Sequence, residues 1–342
     1  MPKVAAVQKR KAEHLRINLQ EDVSSGLRTG LERLHFTHEA LPELSLEAVN
    51  TELELFGRQL QAPLLISSMT GGTPEAQRVN RRLAQAAAAT GIAMGVGSQR
   101  AALEKPDLAG TFQVRRLAPH ALLLANLGAV QLNYGYGVDE CRRAVEMLEA
   151  DALVLHLNPL QEALQADGNT DFSRLAGRIE AVCRKLGAPV VVKEVGWGIS
   201  ERTARLLADC GVAAIDVAGA GGTSWSQVEM YRAPSPFARR LAEAFVAWGI
   251  PTADSIRMVK RAAPATAVFA SGGLRTGIDL AKCIALGATL GGMAGPFLKA
   301  AAVSTAEAVE AIRLIEAQLR VSMFAAGAGN LGALQATALR EI

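Results

Sequence analysis

Short apolar runs recur along the chain from residue 64 onward, and each is followed by a longer segment with polar faces. The runs have almost no polar alternation, which is typical of parallel strands buried on both faces. Eight strands are predicted: Leu64–Ser67, Ile92–Val96, Leu122–Ala125, Ala152–Leu157, Val190–Lys193, Ala214–Val217, Val268–Ala270 and Thr289–Gly292. This alternation predicts an α/β fold, a closed (β/α)8 TIM barrel.

The segments between the strands carry helical periodicity and end on glycine. Gly91, Gly187, Gly211 and Gly287 each stand where a helix should stop before the next strand,. The clearest helical patterns are Pro74–Thr90, Val138–Ala150, Phe172–Leu186, Glu201–Cys210 and Ile278–Leu286. The stretch 219–264 departs from the repeat, and there we expect a polar glycine loop followed by two helices.

The chain is predicted to form a single domain with an N-terminal extension. Its 342 residues suit one large barrel, and no linker or low-complexity tract divides them,. Residues 1–50 are predicted to form the extension, because the opening is polar and charged to about residue 40. We expect this extension to pack beside the core and to contribute to the substrate site, while residues 51–342 form the barrel.

Composition and charge narrow the function classes. The formal net charge is +3 and acidic and basic residues are interspersed, so we expect no nucleic-acid partner,. No run approaches the roughly 20 apolar residues of a membrane span, and the N-terminus lacks an apolar signal segment, so we expect a cytoplasmic protein with no membrane partner. The four cysteines have no metal-ligand spacing and are predicted to be reduced thiols,.

Two glycine turns near the C-terminus predict a phosphate site. The seventh strand runs into Ser271-Gly272-Gly273-Leu274-Arg275, and the eighth runs into Met293-Ala294-Gly295-Pro296 before a helix. Paired glycines allow close backbone approach, a helix start offers free N–H groups, and Arg275 adds a cation. The turns after strands seven and eight are where such barrels usually bind phosphate.

Polar residues also follow the other predicted strands, at the end of the barrel that usually carries the chemistry. Strand four leads into His156, Asn158, Gln161 and Glu162, a set that suits Mg²⁺ bridging to a substrate diphosphate,. Lys193 closes strand five and is costly to bury unless it meets an anion or an electron-rich group. Two plainer interpretations stay open: Ser and Asn at strand ends cap helices, and Lys193 forms an ion pair with Asp216 or Glu194.

These motifs, taken together, resemble the type 2 isopentenyl-diphosphate isomerases over nearly the whole chain. The resemblance is carried by Arg10-Lys11-x-Glu13-His14, SSMTGG at 67–72, GSQR at 97–100, HLNPLQE at 156–162, KEVGWG at 193–198, AGAGGTSWSQVE at 218–229, SGGLR at 271–275 and MAGP at 293–296. It implies an enzyme that interconverts isopentenyl and dimethylallyl diphosphate, with reduced FMN, Mg²⁺ and NAD(P)H as the reductant. A homo-oligomer, a tetramer or octamer, is also expected.

The resemblance further implies residue roles, carried over by position. Flavin contacts are expected at Ser68, Met69, Thr70, Ser98, Asn126, Lys193, Thr223, Gly272, Gly273, Leu274, Arg275, Ala294 and Gly295. The substrate shell is expected to comprise Arg10, Lys11, Ser98, Gln99, Arg100, His156, Asn158 and Gln161. Glu162 is the expected magnesium ligand, and His156, Gln161 and Lys193 are the expected catalytic residues. We expect reduced flavin to supply the acid and base, because no side-chain pair is placed for both tasks.

Three alternatives share parts of this pattern. An FMN-dependent oxidoreductase of the 2-hydroxy-acid or glutamate-synthase kind has the same phosphate turns, but its hydroxy-acid members need a His and Arg pair after strand six, where this chain has Gly222-Thr223-Ser224-Trp225. An inosinate-type dehydrogenase needs a loop cysteine that the sequence lacks there. A flavin-binding protein without catalysis would need few of the polar residues at the strand ends.

Overall fold

The computed structural model describes the backbone of residues 2–342 and the side chains from Lys9 onward. Within these residues the strands are β1 (Leu34–Phe36), β2 (Leu53–Leu55), β3 (Arg58–Leu60), β4 (Leu64–Ile66), β5 (Ala93–Gly95), β6 (Leu123–Gly128), β7 (Ala152–Leu157), β8 (Val190–Glu194), β9 (Ala214–Asp216), β10 (Ala267–Ser271), β11 (Leu290–Met293) and β12 (Leu339–Glu341).

The α-helices of the same part of the chain are α1 (Pro2–Gln20), α2 (Pro74–Thr90), α3 (Arg100–Glu104), α4 (Val138–Leu148), α5 (Pro159–Leu164), α6 (Leu175–Lys185), α7 (Glu201–Asp209), α8 (Trp225–Arg232), α9 (Pro236–Glu243), α10 (Thr252–Ala262), α11 (Gly277–Ala285), α12 (Gly295–Val303), α13 (Thr305–Ala325) and α14 (Leu331–Ala336). Short 3-10 helices cover Leu31–Arg33, Leu46–Ala48, Pro106–Thr111, Arg115–Leu117 and Ala129–Asn133.

The predicted parallel barrel is confirmed. Strands β4 to β11 close in the order β10-β11-β4-β5-β6-β7-β8-β9, and every neighbouring pair is parallel. Each of these strands overlaps one of the eight apolar runs, and the predicted helices are present with ends that differ by up to three residues. The apolar runs therefore reflect the burial of both faces of each barrel strand.

Alternation along the strands divides the barrel interior into layers. One apolar cluster fills the lower interior and contains Leu65, Ala93, Leu124, Val154, Val191, Ala214, Phe269 and Leu290. Two residues further along each strand, side chains point to the same interior side. Those positions are Ser67, Gly95, Asn126, His156, Lys193, Asp216, Ser271 and Gly292. The interior thus changes from apolar to polar as the strands approach their carboxyl ends.

The amino-terminal end of the barrel is closed by the hairpin β2–β3. Leu55 and Leu60 from this hairpin join the apolar cluster of the lower interior. Arg58 donates two hydrogen bonds to Asp151, of 2.9 and 2.7 Å, and Arg115 donates to the same carboxylate at 2.8 Å. The hairpin is therefore fixed to the barrel by a carboxylate shared between two guanidinium groups.

The N-terminal opening begins with a helix that its sequence pattern does not predict. Residues 2–20 form helix α1, which packs against α8 and α3 at the carboxyl ends of the strands. Among the described side chains of α1, residues 9–20, the buried apolar ones are Leu15 and Ile17, and the helix has only a weak amphipathic pattern,.

The prediction of two helices in 219–264 is wrong, since three helices, α8, α9 and α10, occupy this stretch. Helix α8 begins inside the predicted glycine loop. Its Val228 packs with Ile17 and Val23 from the N-terminal segment, a contact that no local pattern shows.

Two further sequence-based expectations can be compared with the structure. All four cysteines are free thiols. Among the described helices, none combines the length and the apolar character that a membrane crossing requires.

Candidate active site

The predicted site residues gather at one end of the barrel, around the polar interior layer. The carboxyl ends of all eight barrel strands meet there, and helix α1 reaches the same end. Most predicted side chains in this region are partly or fully buried, but Arg275 is exposed. The arrangement places a polar layer above an apolar base, at the end of the barrel where active sites of this fold lie,.

The turn after β10 is a close backbone cradle. Gly272 and Gly273 have φ values of 102° and 80°, which favour glycine,. A Cβ atom at Gly272 would overlap the backbone of Gly219, and one at Gly273 would lie 2.5 Å from the carbonyl oxygen of Gly221. Thr252 Oγ1 donates a 2.6 Å hydrogen bond to Gly272 O and holds the turn. Only a backbone without side chains fits between these two loops.

The neighbouring turn after β11 leads into the N-terminus of α12. Gly295 is exposed, and no other atom lies within 4 Å of the position that a Cβ would take there. The first turn of α12 contains Pro296 and leaves N–H groups without partners inside the helix, and α12 follows β11, the neighbour of β10,. These features fit an FMN phosphate. Leu274 is buried in the hydrophobic core, so it can offer only its backbone to a flavin.

The loop after β4 lies directly on the end of β5. A Cβ at Gly97 would be 2.6 Å from Thr70 N, and one at Gly95 would be 2.5 Å from Ser68 Oγ. Ser68, Met69 and Thr70 therefore sit close over the strand ends and are half-buried. Ser67 Oγ, one residue earlier, is buried with no hydrogen-bond partner. A polar ligand bound here would meet a hydroxyl that the protein does not satisfy.

His156 is held as a neutral imidazole. Burial, and then the positive charges of Lys193 and Lys11, lower the pKa of His156 to about 4,. Its Nδ1 lies 2.9 Å from Asn126 Oδ1, which can only accept, so Nδ1 carries the proton,. Asn126, a predicted flavin contact, thus orients His156, a predicted substrate contact.

Lys193 lies between two acceptors. Its Nζ donates a 2.7 Å hydrogen bond to Glu194 O and lies 3.7 Å from Asp216 Oδ2. The Glu194 carboxylate is engaged elsewhere, because its Oε2 accepts from the N–H groups of residues 195, 196 and 197. The ion pair that the sequence left open is therefore present, and Asp216 is the partner.

Glu162 is the centre of a buried polar group. Its Oε1 accepts from Asn158 Nδ2 at 3.0 Å, and its Oε2 accepts from Asn169 N at 2.5 Å. Asn158 also donates to Gln161 Oε1 at 3.1 Å, while its own Oδ1 is buried without a partner. Carboxylate and amide oxygens are suitable ligands for Mg²⁺.

The described residues contain no cluster of three or more His, Cys, Asp or Glu side chains suited to hold a metal. A magnesium ion at Glu162 would therefore complete its coordination with water and phosphate oxygens. This fits an ion that binds together with a phosphorylated substrate rather than one held by the protein alone.

Three cationic side chains border the same space. Lys11 Nζ donates to Ser98 O at 2.7 Å and lies 5.1 Å from the ring centroid of Phe112. Burial, and then the charge of Arg10, lower the pKa of Lys11 to about 7. Burial also lowers the pKa of Arg10, although Glu162 and Glu229 oppose this. Arg100 is anchored by Glu104 and Asn169. A ligand with several negative charges would relieve this crowding of cations.

Two predicted contacts already have structural partners. Gln99 is fully buried, donates to Ala144 O at 2.8 Å and accepts from Asn126 N at 3.0 Å. Thr223 forms an isolated bridge with Ser24 of the N-terminal segment. The substrate contact of Gln99 and the flavin contact of Thr223 stay predictions. The contacts described here show that both residues also hold neighbouring segments together.

Sequence reasoning missed the group that joins α1 to the site. Glu229 on α8 receives hydrogen bonds from Gln161 at 3.1 Å and from Arg232 at 2.5 Å, and it lies 3.1 Å from His14 Nε2. Arg232 also donates to Glu13 at 3.0 Å. Although burial raises the pKa of Glu229, its bonds to His14 and the nearby charges lower it overall. The spacing of Glu229 and Arg232, three residues apart on a helix, was a local signal for part of this group.

Known proteins have sequences similar to this chain. A model of the FMN-dependent dehydrogenase family matches residues 143–341. An isopentenyl-diphosphate delta-isomerase from Synechocystis sp. is 54% identical over 94% of this chain and 93% of its own. The corresponding protein of Rickettsia rickettsii is 50% identical over 97% of both chains.

Solved structures show the same fold at lower sequence identity. A mandelate oxidase variant with an FMN adduct matches with a TM-score of 0.69 and 20% identity, covering 99% of this chain and 100% of that one. A likeness of that degree concerns the barrel alone. The two isomerase sequences and the family match decide the relationship: the chain belongs to the isopentenyl-diphosphate delta-isomerase family.

Proposed function

We propose that this protein interconverts isopentenyl diphosphate and dimethylallyl diphosphate, with FMN as cofactor and Mg²⁺ bound through Glu162. The observation that carries the proposal is the juxtaposition, at one end of the barrel, of a backbone phosphate cradle at Gly272–Gly273 with a second anion site beside Glu162 and Lys11. One site suits the flavin phosphate and the other suits a diphosphate with its metal.

The flavin would occupy the side of the site formed by β4, β10 and β11. The Gly272–Gly273 turn and the start of α12 would hold its phosphate, with Arg275 closing over it. Lys193, half-buried beside Asn126 and His156 in the polar layer, would supply positive charge to the ring. Bound FMN, reduced by NAD(P)H, would supply the proton donor and acceptor for the double-bond shift.

The remaining side chains would bind and orient the substrate. Arg10, Lys11 and Arg100 would neutralise the diphosphate, and Glu162 with the free Oδ1 of Asn158 would bind its magnesium ion,. Neutral His156, with its proton on Nδ1, would accept a single hydrogen bond through Nε2 without adding charge,. Gln161, fixed by Glu229, would face the carbon skeleton. Helix α1 would exclude water from this space, so that residues 1–50 act as part of the substrate site.

The test uses purified protein reconstituted with FMN. We expect a yellow protein that bleaches anaerobically with NADPH and, once reduced, converts isopentenyl diphosphate to dimethylallyl diphosphate only with Mg²⁺. A protein that binds no FMN, or one that oxidises lactate or glycolate and leaves the diphosphate unchanged, would contradict the proposal. The same preparation in size-exclusion chromatography with light scattering would test the proposed homo-oligomer.

A further inference from the structure

A row of three interior side chains crosses the strands β8, β9 and β10. Lys193 and Asp216 are paired in register across β8 and β9, and Ser271 follows on β10. All three belong to the polar layer of the barrel interior. The Asp216 side chain is 2% exposed and that of Lys193 is 12% exposed. A carboxylate this deeply buried requires nearby donors or cations to compensate for the water it has lost.

The Asp216 carboxylate has a different partner on each oxygen. Oδ1 accepts from Ser271 Oγ at 2.6 Å and from Ala218 N at 3.2 Å, and Oδ2 lies 3.7 Å from Lys193 Nζ. Ala218 has a φ of 35°, which is unusual for a residue with a side chain,. Two fixed donors therefore determine where the charge of Asp216 lies, and that charge faces Lys193.

Among the side chains from Lys9 onward, Asp216 is the one carboxylate within ion-pair distance of Lys193. The adjacent Glu194 directs its carboxylate to three backbone N–H groups of its own loop. Two other titratable groups of the described residues face this part of the interior: His156, which is neutral at neutral pH, and the cation Lys11. Asp216 is consequently the carboxylate that faces the Lys193 ammonium, and together with Glu194 O it fixes the position of Nζ.

We propose that Asp216, held by Ser271, is a positioning residue that restrains Lys193 and moderates the positive charge Lys193 presents to the cofactor. This inference rests on the proposed function, in which Lys193 contacts FMN. The anionic reduced flavin gains most from a nearby positive charge, so restraint of Lys193 would limit how strongly the protein prefers reduced FMN. The sequence alone left Asp216 and Glu194 as alternative partners of Lys193.

The experiment measures the reduction potential of bound FMN at a fixed neutral pH, by anaerobic titration against reference dyes. In Asp216→Asn the released Lys193 should favour reduced over oxidised FMN by on the order of tenfold, because a charge pair 4 Å apart is worth several-fold to many-fold even when screened. Tenfold corresponds to about 30 mV for a two-electron couple. In Lys193→Met the potential should fall instead.

A double-mutant cycle tests whether Asp216 acts through Lys193. The rise caused by Asp216→Asn should shrink when Lys193 is already Met. An equal rise in both backgrounds would show that Asp216 acts on the flavin directly and would overturn the proposal. An unchanged or lower potential in Asp216→Asn with FMN still bound would also overturn it.

Two more variants keep the result interpretable. Ser271→Ala retains the charge of Asp216 and removes one of its two donors, so it should lower thermal stability and move the potential less than Asp216→Asn does. If Asp216→Asn does not yield folded protein, Asp216→Ser removes the same charge with a smaller side chain and carries the same expectation.

Failure of the wild-type protein to bind FMN would refute the proposed function. A wild-type protein that isomerises while Asp216→Asn leaves its potential unchanged would refute this inference alone.

Discussion

The two ends of the barrel differ in whether their buried polar groups have partners within the protein. At the amino-terminal end, Leu55 and Leu60 seal the interior, and Asp151 has all its partners within the protein: Arg58, Arg115 and the N–H of Leu123. At the carboxyl end, Ser67 Oγ and Asn158 Oδ1 are buried without partners. Cationic side chains crowd together at that end as well.

This difference indicates that the amino-terminal end stabilises the fold and that the carboxyl end binds ligands. Satisfied polar groups stabilise a fold, whereas unsatisfied buried groups and crowded charges cost free energy in the free protein. That cost can be recovered when a ligand supplies the missing partners. Substitutions at the amino-terminal end should therefore lower stability and leave ligand binding unchanged. Substitutions at the carboxyl end should weaken ligand binding and have little effect on stability.

The sharpest test of the carboxyl end is Glu162→Gln. Substitutions of groups that merely support a metal ligand cost 10- to 100-fold in affinity or activity, so loss of the proposed ligand itself should lower activity at limiting Mg²⁺ by roughly 100-fold. FMN binding should be retained. Activity titrated against Mg²⁺, with flavin content measured by absorbance, checks both. Glu180→Gln, on the exposed face of α6, is the matched control. Loss of flavin with an unchanged metal requirement would refute the assignment.

The amino-terminal end is tested by Asp151→Asn. This change leaves Arg58 and Arg115 without their carboxylate in a half-buried setting, and we expect the free energy of unfolding to fall by roughly 3 kcal/mol,. Denaturant titration measures that loss. The kcat of the folded variant should stay at the wild-type value, because the pair lies at the far end of the barrel. A large fall in kcat with unchanged stability would contradict the assignment of stability to the amino-terminal end of the barrel.

A smaller effect is expected from the protonation of Lys11. With a pKa of about 7 in the free protein, Lys11 is partly neutral between pH 7 and 8, and a bound diphosphate should restore its proton. Binding should therefore take up a fraction of a proton. Isothermal titration calorimetry in buffers of different ionisation enthalpy measures the uptake. Lys11→Met should abolish it and exposed Lys9→Met should not; equal uptake in all three would contradict the assignment.

The same group gives a stability trend of known sign. Its pKa in the folded protein lies below the ordinary value of 10.5, so the unfolded chain holds the extra proton between about pH 7 and 10.5. The Lys11 contribution to the stability of the ligand-free protein should therefore rise as pH increases through this window. Comparison of wild type with Lys11→Met separates it from other groups.

Local patterns were sufficient for the barrel. The strands Leu64–Ile66 and Val190–Glu194 are apolar runs because both of their faces are covered, and α2 begins at Pro74 and ends at Thr90 as its cap residues predict. The paired glycines at 272 and 273 likewise indicated a turn with positive φ, since few other residues adopt it,.

Patterns along the sequence could not predict contacts between distant segments. His14 and Glu229 are 215 positions apart, and Arg58 and Asp151 are 93 apart. The apolar residues of helix α1 do not form a clear stripe, and the helix packs against α8, so its periodicity was too weak to predict it. Asp216 was named only as one of two possible partners for Lys193, because sequence does not show which way the Glu194 carboxylate turns.

The contact between Gly219, Gly221 and the turn Gly272–Gly273 has a practical consequence for anyone redesigning this enzyme. Main chain lies against main chain there: a methyl group at Gly272 or Gly273 would overlap the backbone of Gly219 or Gly221, and one at Gly222 would lie 2.6 Å from Gly273 N. The two loops are therefore inseparable as units of engineering: a library that varies one of them, or a chimera that imports one from another barrel, must carry the other with it.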